Sequence, residues 1–191
     1  MEEVLFNLIN QKMGSKNKIV VLCIGTDKLI FDSYGPFVGY LLKNVYNLHN
    51  KENTIILGDL KNPVHAVNLV QKVEEVDKEN SLIIAVDTAI TYNKERHKEI
   101  IIGKGPIKPG NAAGKKLPKV GDINIKGVIF KDYIFNEEEN LIRIGDIANM
   151  AERTAEYINN AVQRYLEIEN CVFKAAKYQK KTVSMSAGHH L

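Results

Sequence analysis

Val20-Val21-Leu22-Cys23-Ile24-Gly25-Thr26-Asp27-Lys28-Leu29-Ile30-Phe31-Asp32-Ser33-Tyr34-Gly35-Pro36 decides how this chain is read. An unbroken apolar run ends at Gly25, Asp27 and Asp32 follow, and Gly35-Pro36 leads into an amphipathic stretch over 37–48. The order predicts a strand, an acidic loop and a helix. A strand with no polar alternation is one that both faces of a sheet keep from water. In open α/β sheets, chemistry sits in the loops beyond the carboxyl ends of the strands. A second apolar run, Leu82-Ile83-Ile84-Ala85-Val86, ends in Asp87. Two strands that each deliver an aspartate to the same sheet edge would build a carboxylate pair from Asp32 and Asp87.

Outward from these strands, elements alternate. Helices are expected over 2–13, 37–48, 63–76 and 144–166, and strands over 19–24, 54–57, 82–86, 99–102 and 123–130. In the first helix Val4, Leu5, Leu8 and Ile9 repeat at helical spacing. Pro63 stands where a helix tolerates proline, in its first turn. Alternation with wholly apolar strands predicts a three-layer α/β/α sandwich with a mostly parallel sheet. One domain over 1–191 is expected, with its motifs in 18–131, a C-terminal helix over 144–167 and a loose tail over 174–191. No internal repeat and no separating linker is visible.

Composition narrows the class. The 191 residues are 45% hydrophobic and 26% charged, enough apolar material for one core. The net charge of +3 is spread along the chain, without the clustered basic face of a nucleic-acid binder. Tyr157 and Tyr165 read as packing residues, because no basic groove pattern accompanies them. Cys23 and Cys171 form neither a disulfide framework nor a metal motif. No basic-then-apolar leader opens the chain, and no apolar run approaches the ~20 residues of a membrane helix. A cytoplasmic protein is expected, without direct contact to nucleic acid or membrane. The final Gly188-His189-His190 is weak evidence for metal at a chain end.

The stretch 103–122 differs from its surroundings. It concentrates Gly103, Gly105, Pro106, Pro109, Gly110, Gly114, Pro118 and Gly121 with five lysines. It fails as a P-loop, which needs four residues between its first glycine and Gly-Lys-Ser/Thr. Gly110 has three before Gly114-Lys115, and Lys116 stands in place of the hydroxyl residue. The dinucleotide pattern fails as well, with Lys108 where the third glycine belongs. An irregular loop with a positive rim at Lys115 and Lys116 remains, expected to wall a groove for an extended, acidic polypeptide.

The ordered set Gly25-Thr26-Asp27, Asp32-Ser33, Gly35-Pro36, Val38-Gly39, Pro63-Val64-His65-Ala66, Val86-Asp87, Gly105-Pro106-Ile107 with Pro109-Gly110, Lys116-Leu117-Pro118 and Val120-Gly121-Asp122 resembles the YyaC-type sporulation proteins. That family is similar to the spore germination protease, an aspartic-type endopeptidase that degrades small acid-soluble spore proteins, and in fold to hydrogenase maturation proteases. The resemblance implies an α/β/α sandwich, a protein or peptide substrate such as those spore proteins, and a place in the developing spore or mother cell. It also implies that Asp32 and Asp87 occupy the protease's two essential positions. Thr88 stands where the protease has a small residue, and the protease's flanking segments have no counterpart here.

Each candidate also has a plainer role. Asp32 is placed to cap a turn or helix. Asp87, closing an apolar strand, must be hydrogen-bonded, paired or neutralised. Asp27 reads more readily as an acceptor for loop amides than as a reacting group. His65, near a helix start whose dipole favours neutral imidazole, is a candidate base or ligand, with surface placement an equal alternative. Gly35 shapes the loop, and Asp122 reads as a brace for the glycine-proline segment. If Asp32 and Asp87 lie close, one keeps a proton and the other activates water, as in an aspartic peptidase with no cofactor. If they lie farther apart with His65 nearby, a divalent metal held by the three becomes the alternative, as the maturation-protease resemblance implies. A third reading is a binding module on a peptidase-like scaffold. No oligomeric state follows from the pattern.

Overall fold

The computed structural model describes residues 1–110, 117–135 and 142–187. Five strands form one sheet: β1 (Lys18–Cys23), β2 (Thr54–Leu57), β3 (Ser81–Thr91), β4 (Ile100–Lys104) and β5 (Ile123–Phe130), in the order β2-β1-β3-β5-β4. The first four in that order run parallel, and β4 closes the edge antiparallel to β5. The helices are α1 (Glu2–Met13), α2 (Tyr34–Asn44), α3 (Leu69–Glu74), α4 (Asp132–Phe135) and α5 (Ile144–Ala187).

Strand residues alternate between two cores, which explains the absence of polar alternation in the sequence. Ile19, Val21 and Cys23 of β1 and Leu82, Ile84 and Val86 of β3 face α1, α2 and α5. Val20, Leu22 and Ile24 with Ile83 and Ala85 face the other way, under Val64, Leu69, Val73, Ile107 and Val120. The molecule is therefore a three-layer α/β/α sandwich with a mostly parallel sheet.

α5 owes its position to a stripe at helical spacing, Ile147, Ala151, Thr154, Ile158 and Val162, all fully buried. Burial of each large aliphatic side chain there is worth roughly 1.5–3 kcal/mol. One polar contact fixes the register of α2 against α5: the buried Tyr34 hydroxyl meets Thr154 Oγ1 at 2.6 Å. The Tyr34 ring lies so close to Gly127 of β5 that a Cβ there would approach it to 2.8 Å.

Three elements depart from the sequence reading. No helix spans 63–76; α3 begins at Leu69. The residues before it are used otherwise: Val64 bridges Ile24, and Asn68 closes a turn by donating to Pro63 O and accepting from the His65 amide. β3 does not end at Asp87 but runs on to Thr91, paired with β5 throughout. α5 continues through 174–187, where a loose tail was expected, and only 188–191 lie outside the described residues. Among the described residues no helix is long and apolar enough to cross a membrane.

Candidate functional site

The site begins with backbone geometry at the carboxyl end of β1. Ile24 donates its amide to Val86 O and Gly25 donates to Val64 O, so the chain is held on both sides as it leaves the sheet. Gly25 then takes φ +140°, and a Cβ on it would lie 2.0 Å from Asp32 O. No side chain fits there, and the chain returns so tightly that Thr26 donates its amide to that same oxygen at 3.0 Å. Gly35, in the first turn of α2, lets the helix rest on Ile24; a Cβ there would lie 2.1 Å from Ile24 O. The glycines thus fold 25–35 into a loop that carries Asp32 back to the strand ends.

Asp87 stands on β3 directly after Val86, beside this loop. Alternation puts its side chain on the face of Ile83 and Ala85, and its Oδ1 accepts the Thr88 amide at 2.8 Å. Although the residue keeps some exposure, protein surrounds its carboxyl group. Burial, then the charge of Asp32, push its pKa up to about 8, against a smaller lowering by the Thr88 amide. At neutral pH Asp87 holds its proton beside an acidic neighbour, and Asp32 is close enough to be felt electrostatically.

The other candidates are dispersed. Asp27 is exposed on the loop ahead of Asp32. His65 is half-buried just after the Val64–Ile24 bridge, with Nδ1 accepting the Val67 amide at 3.3 Å; that nitrogen is committed to its own turn. His65 also precedes α3 by several residues, so it gains no helix-dipole effect. Among the described residues no three His, Cys, Asp or Glu side chains are grouped to hold a metal, so Asp32, Asp87 and His65 are not gathered as a three-ligand set. Asp122 lies at the opposite edge of the sheet. Its Oδ2 accepts from the Ile83 amide and from Lys16 Nζ, both at 2.9 Å. Ile83 precedes Asp87 by four residues, or about 13 Å of strand. Asp122 is thus a brace for β3 and for the stem of the 105–122 loop, whose Gly105 amide donates to its carbonyl. That stem packs Ile107 and Val120 on the sheet; Lys115 and Lys116 lie outside the described residues.

Three features were missed. Thr88 Oγ1 donates to Phe31 O at 2.8 Å, tying β3 to the turn that carries Asp32. Lys126 of β5 is in register with Asp87 and shares its face of the sheet, a neighbour that only strand pairing reveals. Asp59, 5% exposed, sits just past β2, with Oδ2 on Lys43 Nζ at 2.5 Å and Oδ1 accepting the Lys61 and Asn62 amides. Burial pushes its carboxyl up, but Lys43 and the two amides outweigh that and hold it below its ordinary value. An apolar run ending in Gly58-Asp59 was the available signal, since it repeats the strand-then-acid pattern read elsewhere.

A family model described as "Protein of unknown function (DUF1256)" matches residues 1–157. The chain belongs to the DUF1256 family. The matched span covers the whole sheet and the packed start of α5, and so contains both aspartates. A curated relative, the uncharacterized protein YyaC of Bacillus subtilis (strain 168), is 38% identical over 140 residues. That alignment takes in 69% of this chain and 65% of the relative, so the chain spans just under two thirds of the relative's length. Among solved structures, a [NiFe] hydrogenase maturation protease, HycI from Thermococcus kodakarensis KOD1, is similar with a TM-score of 0.54. The similarity covers 84% of this chain and 99% of that one at 20% identity, which establishes a shared fold. This DUF1256 chain therefore has a fold that a maturation protease also uses.

Proposed function

We propose that this protein is an aspartic-type peptidase in which Asp32 and Asp87 form the reacting pair. The observation that carries the reading is the Asp87 carboxyl on β3, enclosed by protein and within electrostatic reach of Asp32 on the turn that Thr88 ties to the same strand. Two carboxyl groups whose environments drive their pKa values apart have distinct tasks available to them. Ionised Asp32 takes a proton from water as its oxygen attacks the scissile carbonyl carbon. Protonated Asp87 donates a hydrogen bond to the carbonyl oxygen and stabilises the charge that develops there. Collapse of the tetrahedral intermediate breaks the C–N bond, and the proton from water passes through the pair to the departing amine. Neither carboxylate forms a covalent bond to substrate in this scheme, and no step of it uses a metal.

The substrate is a polypeptide. The resemblance to sporulation proteins and the spore germination protease points to small acid-soluble spore proteins, in the cytoplasm of a spore-forming cell. The direct test is incubation of the purified protein with such spore proteins, comparing wild type with Asp87→Asn by gel and mass spectrometry. Cleavage by wild type alone supports the reading. If both forms cleave alike, or neither cleaves at any pH between 5 and 8, the peptidase assignment fails and the scaffold is a binding module.

A further inference from the structure

We infer that Thr88 is a positioning residue for the carboxylate pair: its hydroxyl locks the turn carrying Asp32 to the strand carrying Asp87. The inference rests on the two-aspartate reading and deepens it. Thr88 makes one contact in each direction. Its amide donates to Asp87 Oδ1 at 2.8 Å, which orients that carboxyl group. Its Oγ1 donates to the carbonyl of Phe31, the residue bonded to Asp32, also at 2.8 Å. One residue therefore touches Asp87 and the residue bonded to Asp32. On its other side, the turn is held by the Thr26 amide on Asp32 O and by the Asp32 amide on Leu29 O. These bonds close the loop on itself. The Thr88 hydroxyl is a direct link from the turn to β3.

Chemistry explains why a threonine suits this position. β3 continues beyond Asp87, so residue 88 is still in a paired strand and must be a residue that strands accept. Alternation sends its side chain to the face opposite Asp87, toward the core where Phe31 packs. A β-branched hydroxyl has few rotamers to lose, so the bond to Phe31 O costs little ordering. Alanine at 88 would leave that carbonyl without this donor. A carboxylate pair depends on a fixed separation, because the repulsion that keeps one member protonated falls as the groups part. The charged group that bears on Asp87 is Asp32 from the turn; Lys126 is in register with it on the neighbouring strand, and His65 stands on the adjoining segment.

The test follows the Asp87 carboxyl by carbon-13 NMR as pH is varied, in wild type, Thr88→Val, Thr88→Ser and Asp32→Asn. Asp32→Asn should lower the Asp87 midpoint by removing the neighbouring charge. Thr88→Val keeps the shape and the amide but loses the hydroxyl, and should give roughly half or more of that shift. Thr88→Ser should restore the wild-type midpoint. A Thr88→Val midpoint equal to wild type, with the Asp32→Asn shift present, overturns the role of Thr88 while the pair stands. No shift in Asp32→Asn overturns both the pair and the inference. A readout in the unaltered protein guards against a misfolded variant. The Thr88 hydroxyl proton should be protected from exchange and close to residues 31 and 32 by nuclear Overhauser contact, and its rapid exchange would overturn the inference.

Discussion

Replacing Asp87 with asparagine should stabilise the protein above neutral pH. The folded state holds this carboxyl protonated up to about pH 8, whereas in the unfolded chain it ionises near its ordinary value of 3.8. Between those values the folded state binds more protons than the unfolded state, so this group's contribution to stability falls as pH rises and levels off above about 8. At ~1.4 kcal/mol for each pKa unit, a rise from 3.8 to about 8 has a ceiling of about 6 kcal/mol. Structural relaxation and water entry reduce this, and about 2–4 kcal/mol is the expected range. Asparagine keeps the shape and an oxygen for the Thr88 amide but has no charge to bury. Urea denaturation of wild type and Asp87→Asn at pH 5 and pH 8.5 reads the effect as a difference, which cancels background groups. One such group, His97, has its pKa lowered by burial and by Lys98, so its stability contribution runs the opposite way. The variant should gain on wild type between the two pH values. An equal pH dependence in both proteins would refute the argument that Asp87 is held neutral.

Other outcomes follow from the same geometry. Tyr34→Phe leaves the Thr154 hydroxyl buried without its 2.6 Å partner and should cost about 1–3 kcal/mol in urea denaturation, while Tyr34→Phe with Thr154→Val should recover part of the loss. Lys43→Met strands the buried Asp59 carboxylate and should cost about 2–4 kcal/mol at pH 7, reduced from a fully buried pair because the lysine side chain is 25% exposed. Asp59 is held below its ordinary value, so that penalty should fade as pH drops below about 4 and the unfolded chain also takes up the proton. Gly25→Ala places a Cβ 2.0 Å from Asp32 O at φ +140° and should displace the turn; NMR shifts of residues 26–33 would show the movement, and an unchanged spectrum would contradict the close approach.

Much of the fold was legible because burial on both faces of a sheet leaves an unmistakable mark. The apolar runs at 19–24, 82–86 and 123–130 became β1, β3 and β5, and the stretch after β1 returns as a turn whose Phe31 carbonyl meets Thr88 of β3. The reading stopped where local pattern no longer decides structure. The 63–76 stretch has helical spacing, but Val64 is worth more as a bridge to Ile24 than as a helical residue, and Asn68 closes the competing turn. The end of β3 was set at Asp87 because the sequence turns polar there; pairing with β5 carries the strand four residues farther. Lys126 was invisible without strand register, and the tie from Thr88 to Phe31 joins residues 57 apart in the chain. The 105–122 loop was expected to wall a groove for a polypeptide, but its Asp122 anchors at the edge of the sheet opposite Asp87, through Lys16 and Ile83.

The claim that two aspartates activate water for peptide hydrolysis is tested most directly by mass spectrometry of a small acid-soluble spore protein incubated in heavy-oxygen water with wild type, Asp32→Asn and Asp87→Asn. Wild type should yield fragments whose new carboxyl terminus carries one heavy oxygen taken from solvent, and each variant should lose at least ~100-fold in rate. Intact substrate with wild-type protein, or cleavage by either variant at the wild-type rate, would contradict it.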